Sequence, residues 1–312
     1  WSRNRFTMDK DLSDAVIKTF IQLYKQKIIY KDTKLVNWDT KLETAISDLE
    51  VEQREVQSNL YYIKYKVDGE IDYLTIATTR PETLLGDTAV AVNPEDQRYI
   101  NYIGKKAIVP IVERKVKIIA DKYVSIEQGS GALKVTPAHD FNDFDIGKRH
   151  KLEFINIFEK NGTLNQKVPR ELVGLDRFEA RNKIVKILKE KELLEKIETI
   201  QNAVPYGDRS NSIIEPLLTE QWFADAKFLS KKAISAVKKG ETNFFPKNWS
   251  KTYFQWMNNI EPWCISRQLW WGHRIPAWYT NDKKIFVAET KIDAEKQAYK
   301  FYKKKVSLKR DD

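Results

Sequence analysis

Ile63-Lys64-Tyr65-Lys66-Val67-Asp68-Gly69, followed by the run 71–78, decides how this sequence folds. Ile63, Tyr65 and Val67 alternate with Lys64 and Lys66, and a period of two places the apolar set on one face of a strand. Asp68-Gly69 then carries tight-turn chemistry, because glycine takes up the left-handed backbone that hairpin turns require. The pattern predicts an antiparallel hairpin. Further short β-like runs at 107–112, 116–120 and 132–135 keep the same close spacing. They predict a small barrel or curled sheet rather than a parallel βαβ stack. An amphipathic helix over 177–196 closes this stretch, with Phe178, Ile184, Ile187, Leu188 and Leu194 as its apolar face.

Outward from there the character changes twice. Before the hairpin, a helix is expected over 12–29, burying Val16, Phe20, Leu23 and Tyr24 at helical spacing. Beyond about residue 204 the chain becomes aromatic: seven of the nine tryptophans lie between Trp222 and Trp278. A last helix is expected over 291–304, and its basic run Lys303–Lys305 reads first as a solvated face. The expected division is therefore 1–52, 53–204 and 205–312, an α+β chain whose central domain is β-barrel-like.

The chain has 312 residues, enough for two modest domains or for one interrupted by another. With 42% hydrophobic and 31% charged residues it has the composition of a folded globular protein. No apolar run approaches the ~20 residues of a membrane span. A single cysteine, Cys264, excludes an internal disulfide and a multi-thiolate zinc site. The start, Trp1-Ser2-Arg3-Asn4-Arg5, is polar and has no apolar targeting core, so the cytoplasm is the expected compartment. It also lacks an initiator Met, which suggests a piece of a longer protein. The net charge of +10 fits a nucleic-acid partner through counterion release, and fits equally a Lys-, Ile- and Asn-rich composition with solvated lysines. Charge alone leaves both open.

Two runs carry candidate chemistry. Thr78-Thr79-Arg80-Pro81-Glu82-Thr83-Leu84-Leu85-Gly86-Asp87-Thr88 leaves the second hairpin strand directly. Its hydroxyls at 78, 79 and 83 both donate and accept, Arg80 adds a rigid fork of donors, Pro81 stiffens the turn and Gly86 allows close backbone approach. Such a loop suits a ribose, a phosphate or an ester carbonyl. The bland alternative is a turn whose threonines satisfy local backbone groups.

The second run is Gly129-Ser130-Gly131-Ala132-Leu133-Lys134-Val135-Thr136-Pro137-Ala138-His139-Asp140-Phe141-Asn142-Asp143. Gly-Ser-Gly is a weak phosphate signal without the rest of a dinucleotide loop or P-loop. Lys134 and Thr136, two apart on a strand, face one side. Asp140 and Asp143, three apart, share a face of a helical turn. One ammonium, one hydroxyl and two carboxylates suit the α-amino group and side-chain hydroxyl of a small amino acid; a helix N-terminus favouring Asp is the alternative, and the better one for Asp140 alone. No metal is expected. His139-Asp140 resembles part of a metal hydrolase site, but only His139, His150 and His273 are present. Cys264 beside Ser266, with His273 nine residues on, sits among tryptophans and reads as a structural thiol rather than a nucleophile.

Together these segments resemble the valyl-tRNA synthetase family over essentially the whole chain. The runs 78–90 and 134–140 look like two edges of that family's editing pocket. Asn37-Trp38, Thr44-Ala-Ile-Ser-Asp48, Glu215-Pro-Leu-Leu-Thr-Glu-Gln-Trp222 and Trp263-Cys-Ile-Ser-Arg-Gln-Leu-Trp-Trp-Gly272, followed by His273-Arg-Ile-Pro-Ala277, agree with it. Isoleucyl- and leucyl-tRNA synthetases share the Thr-Thr-Arg-Pro loop and the Trp-Cys-Ile-Ser-Arg-Gln run in related form; Lys-Val-Thr-Pro-Ala-His-Asp is nearest the valyl wording.

The resemblance implies an editing domain at about 53–204, flanked by partial segments of a class I, Rossmann-type catalytic domain. His-x-Gly-His and Lys-Met-Ser-Lys-Ser-like motifs are absent, so aminoacylation is not expected of this piece, and ATP with Mg belongs to the parent enzyme only. Editing needs no cofactor. The implied partners are the 3′ end of tRNA(Val) and threonine as the mischarged amino acid, with a monomer expected. The substrate-binding set implied is Thr78, Thr79, Arg80, Thr83, Lys134, Thr136, Asp140 and Asp143, with Asp140, Thr83 and Lys134 nearest the chemistry. Asp143 is expected to hold the α-ammonium, Asp140, Lys134 and Thr136 to read the hydroxyl, and Arg80 and Thr83 to place the terminal adenosine and the ester. No activated nucleophile is apparent, so a positioned water is the expected attacker.

Overall fold

The computed structural model describes residues 4–311, so Trp1, Ser2 and Arg3 of the polar start lie outside the described residues. The chain forms two compact units, Lys34–Thr219 and a second one built from both ends of the chain.

The first helix, α1 (Lys10–Lys25), buries Phe20 and packs Leu23 and Tyr24, as helical spacing predicts, while Val16 stays exposed. It ends four residues earlier than its apolar pattern suggests. Lys27 turns the backbone into the left-handed region, φ 60°, and Ile29 already opens strand β1 (Ile29–Asp39). β1 carries the chain into the central unit, where it pairs with β2 (Thr44–Ile46) from Asn37 to Asp39.

The hairpin expected from the alternating lysines is present as β3 (Val51–Val67) and β4 (Tyr73–Thr78), antiparallel from Tyr61↔Thr78 to Lys66↔Tyr73, with Gly69 at φ 82° in the turn. Ile63, Tyr65 and Val67 are fully buried, as the period of two requires. The sheet continues through β5 (Ala89–Val92), β6 (Lys106–Ile108), β7 (Lys115–Ala120) and β8 (Ala132–Val135) in the order β4-β3-β6-β7-β5-β8. Only β5 and β7 run parallel; the other recorded pairs in this sheet are antiparallel. The end strands β4 and β8 approach within 8 Å, Cα to Cα, without forming a ladder, so the sheet curls into a half-barrel. Ala89, Ala91, Val135 and Ile146 fill part of its core.

Helix α2 (Phe141–His150) follows β8, and α3 (Arg177–Glu190) comes later. The helical reading of 177–196 overruns here. Lys191 closes the helix, Glu192 turns at φ 57°, and Leu194 starts β9 (Leu194–Gly207). Good helix formers lose to pairing with β3, which runs from Ile63↔Leu194 to Val51↔Gly207. Along the outer part of this ribbon only alternate positions are partly covered.

β10 (Glu215–Ala224) returns the chain to the other unit. There Trp222, Ala224, Ala277, Val287, Phe20 and Ile29 make a core, with Phe20 edge-on to Trp222 at 5.3 Å. Helices α4 (Ala226–Lys238) and α5 (Trp249–Asn258) pack together, and α6 (Lys291–Tyr302) lies on a small sheet in which the strand Ala277–Tyr279 is paired on both edges. The last helix stops at Tyr302 because Lys303 turns left-handed. Among the described residues, β10 pairs antiparallel with Trp263–Cys264, and Ala277–Tyr279 pairs antiparallel with both Ile285–Val287 and Lys309–Arg310. Trp222 and Trp278 are buried, whereas Trp249, Trp256, Trp263, Trp270 and Trp271 are exposed.

Candidate active site

The two polar runs meet because the strands beside them are neighbours. β5 and β8 pair antiparallel, Val90 opposite Lys134 and Ala89 opposite Val135, and the Thr88 amide donates to the Val135 carbonyl at 2.9 Å. The loop after β4 winds through a 3-10 turn, Pro81–Gly86, that is buried throughout. Gly86 is needed there: a Cβ would stand 3.0 Å from the Ile155 carbonyl oxygen and 3.2 Å from Thr136 Cγ2.

At the centre stands Asp87, fully buried. The Thr136 hydroxyl donates to its Oδ1 at 2.6 Å and the Tyr65 phenol to its Oδ2 at 2.6 Å. Lys134 Nζ donates to Thr136 Oγ1 at 2.5 Å and lies 3.4 Å from Asp87 Oδ1. Burial pushes the Asp87 carboxyl above its ordinary range, and Lys134, Thr136 and Tyr65 offset this only in part. Burial and the Asp87 charge likewise push the Tyr65 phenol well up.

One step along, the Thr136 amide donates to Asp143 Oδ2 at 2.8 Å. Asp143 is buried, and burial together with the neighbouring Asp140 charge raises its carboxyl to about 7. Its Oδ1 has no hydrogen bond among the described residues. Asp140 is exposed and caps α2, accepting from the Asn142 and Asp143 amides. Capping and a place beside Asp143 are therefore both true of it.

The threonines of the first loop are turned inward. Thr78 Oγ1 accepts from the Arg80 amide at 3.1 Å and Thr83 Oγ1 donates to the Arg80 carbonyl at 2.9 Å, while the half-buried Thr79 hydroxyl makes no hydrogen bond among the described residues. Arg80 is held by three partners. It donates to both Glu215 oxygens at 2.6 and 2.7 Å, to Glu82 at 3.2 Å and to the His139 carbonyl at 3.0 Å, which leaves one Nη1 hydrogen. Arg177 also binds Glu215, and Arg181 binds Glu82 through two contacts. Burial alone pushes the Glu215 carboxyl up, but Arg80, His139 and Arg177 outweigh it and hold the group well below the usual range. For Glu82, Arg181 and Arg80 likewise overcome burial and lower its carboxyl.

His139 is fully buried, accepts the Ile157 amide at Nε2, 3.0 Å, and points Nδ1 at Glu215 Oε1, 3.7 Å. Burial lowers its pKa, and an Nε2 that accepts fixes the neutral Nδ1–H tautomer. Nε2 is taken by that amide, while Nδ1 makes no hydrogen bond among the described residues. In the Gly-Ser-Gly turn both glycines take left-handed backbone, φ 62° at Gly129 and 79° at Gly131, which a side chain would strain. In the other unit burial pushes the Cys264 thiol up, the opposite of an activated nucleophile.

Asp87, Tyr65, Glu82, Arg177, Arg181 and Glu215 join the site only through the fold. The available signal was an acid or base inside an apolar run: Asp87 interrupts Leu84-Leu85 and Ala89–Val92, all buried.

The family model for class I tRNA synthetases (I, L, M and V) matches residues 1–311. The chain belongs to the class I tRNA synthetases. It is 65% identical over 311 residues to a valine–tRNA ligase of Pelagibacter ubique, covering 100% of this chain and 36% of the relative. It is 54% identical over 326 residues to that of Mesorhizobium japonicum, covering 97% and 35%, and 56% identical over 293 residues to that of Legionella pneumophila, covering 94% and 32%. The chain thus spans about a third of the length of these relatives. A solved LeuRS in ternary complex with tRNA and LeuAMS, from Agrobacterium radiobacter K84, matches at a TM-score of 0.35 and 16% identity, over 90% of this chain and 36% of its own, too loosely to fix the fold. In this class I synthetase the excess charge is unevenly placed: Lys34–Thr219 has 28 basic and 30 acidic residues, the rest of the chain 26 and 14. No described helix is long and apolar enough to cross a membrane.

Proposed function

We propose that the Lys34–Thr219 unit is an editing domain that hydrolyses the ester of threonyl-tRNA(Val). The observation that carries this reading is the convergence of Lys134, Thr136 and Asp143 with the loop after β4, an ammonium, a hydroxyl and a buried carboxyl within linked hydrogen-bonding distance. Threonine and valine have nearly one shape, so an apolar valine site cannot strongly reject the hydroxyl, and a second site has to read it. Lys134 and Thr136 do so, with Asp140 at the rim. Asp143 Oδ1 takes the α-ammonium, whose charge offsets the burial that raises the carboxyl. Thr79 and the remaining Arg80 hydrogen serve the terminal adenosine, and Thr78 and Thr83 shape the loop that carries them. A water placed beside Asp140 and Lys134 attacks the ester carbonyl, with rate gained from orientation and a polar cradle.

The flanking unit, with its surplus of lysine and arginine, supplies phosphate contacts for the tRNA. ATP and Mg serve only the parent ligase, editing itself needs no cofactor, and the chain acts as a monomer in the cytoplasm. The test is deacylation of threonyl-tRNA(Val) by the 312-residue chain, against valyl-tRNA(Val) as control. Threonyl hydrolysis well above the valyl rate supports the proposal. Tight binding without hydrolysis sinks it, and leaves a tRNA-binding module.

A further inference from the structure

Asp87 has no place in the roles given above, yet it is fully buried and is the hub of the hydrogen bonds around Lys134 and Thr136. A threonine hydroxyl has one hydrogen and two lone pairs. In Thr136 the hydrogen goes to Asp87 Oδ1 at 2.6 Å and one lone pair accepts Lys134 at 2.5 Å. One lone pair remains. The carboxylate is itself pinned from behind, because the Tyr65 phenol donates to Oδ2 at 2.6 Å. Lys134 spends one hydrogen on Thr136 and leans a second toward Asp87 at 3.4 Å, so a third is left over. The pair therefore keeps one donor and one acceptor unspent, side by side and in a fixed sense.

We propose that Asp87 is a positioning residue that sets this hydrogen-bond polarity, making Thr136 an acceptor and Lys134 a donor toward the substrate hydroxyl. The inference rests on the reading of this pocket as the threonyl-ester site. A hydroxyl completes both bonds at once; a methyl group completes neither and leaves two buried polar groups unpaired. Asparagine offers one acceptor where Thr136 and Tyr65 each need one, so the Thr136 hydrogen is no longer held in one sense, while Lys134 keeps its bond to Thr136. Tyr65 acts one step further out, through Asp87 alone.

The experiment compares two esters on tRNA(Val), threonyl and 2-aminobutyryl, the latter being threonine without its hydroxyl. Asp87→Asn, close to the same size, is made in the 312-residue chain. The threonyl kcat/KM is expected to fall about 10- to 100-fold while the 2-aminobutyryl value stays within about twofold. Tyr65→Phe, which keeps the charge and frees one oxygen, is expected to give the same selective loss at smaller amplitude, and serves if Asp87→Asn does not fold. Equal loss on both esters, or no loss on either, in the variant that folds overturns the proposal and leaves the editing reading standing. If the unaltered chain hydrolyses neither ester, the editing reading fails and the role of Asp87 falls with it.

Discussion

Arg80 grips Glu215 through both carboxylate oxygens, at 2.6 and 2.7 Å, and with another nitrogen holds the His139 carbonyl. The pair thus ties the loop after β4 to the first residue of β10 and to the segment that leads into α2. Both the stability of the unit and the alignment of its two polar runs pass through it.

Glu215→Gln is expected to cost about 3–5 kcal/mol of unfolding free energy, because it leaves Arg177 buried and Arg80 half-buried against a neutral amide. Denaturant melts of the 312-residue chain read this directly. Glu198→Gln, an exposed partner of Lys196, provides the comparison and should leave stability nearly unchanged. Equal effects of the two substitutions would remove the case for a supporting network.

Asp143 gives the unit a pH dependence of definite sign. Its carboxyl is raised from 3.8 to about 7, so the fold prefers the protonated form. Between about pH 4 and 7 the unfolded chain holds less of that proton than the folded one, and stability falls as pH rises through the window, by up to ~4 kcal/mol for a shift of this size. Asp143→Asn should flatten that slope and raise stability at pH 8. The same carboxyl must be ionised to hold an ammonium, so KM for threonyl-tRNA(Val) should improve as pH rises through about 7. A KM independent of pH between 6 and 8 would count against Asp143 as the ammonium site.

How far the sequence reveals all this depends on the range of the interaction. The half-barrel is legible because alternation in Ile63-Lys64-Tyr65-Lys66-Val67 and the Asp68-Gly69 turn are local signals. The helix ends at Lys25 and Glu190 are not, since each is set by a strand that must start just beyond, paired with residues far away. The same divide runs through the site. Lys134, Thr136, Asp140 and Asp143 stand out because their spacing on a strand and a helical turn makes them neighbours. Glu215 lies 135 residues from Arg80 and 38 from Arg177, and only folding shows that it neutralises both. Asp87 looks like one polar residue in an apolar run until Tyr65 and Thr136 are seen on either side of it.

Chelation separates hydrolysis by a positioned water from a metal-dependent reaction. His139 spends Nε2 on the Ile157 amide and keeps Nδ1 toward Glu215, and no group of three His, Cys, Asp or Glu among the described residues is placed to hold a metal. Excess EDTA is expected to leave threonyl-tRNA(Val) deacylation unchanged within about twofold. Loss of activity restored by adding back a divalent ion would overturn the water mechanism as written.

Gly147 ties α2 to the site by its lack of a side chain. A Cβ there would stand 2.7 and 2.8 Å from Cβ and Cγ of Pro137, and 3.3 Å from the Phe154 ring. Alanine is the better helix former by about 1 kcal/mol, so Gly147→Ala on an exposed helix would stabilise. Here the contact is with a rigid ring two residues before His139, and overpacking costs about 1–3 kcal/mol. The net expectation is a modest loss of stability with a larger loss of function. Pushing α2 away from Pro137 moves Asp143 off the Thr136 amide and Asp140 off the pocket rim, and a displacement near 1 Å costs on the order of 100-fold in rate. Thermal melts and deacylation rates of the same sample measure both. A higher melting temperature with full activity would mean that Pro137 gives way freely and that the close approach of α2 plays no part in placing the carboxylates.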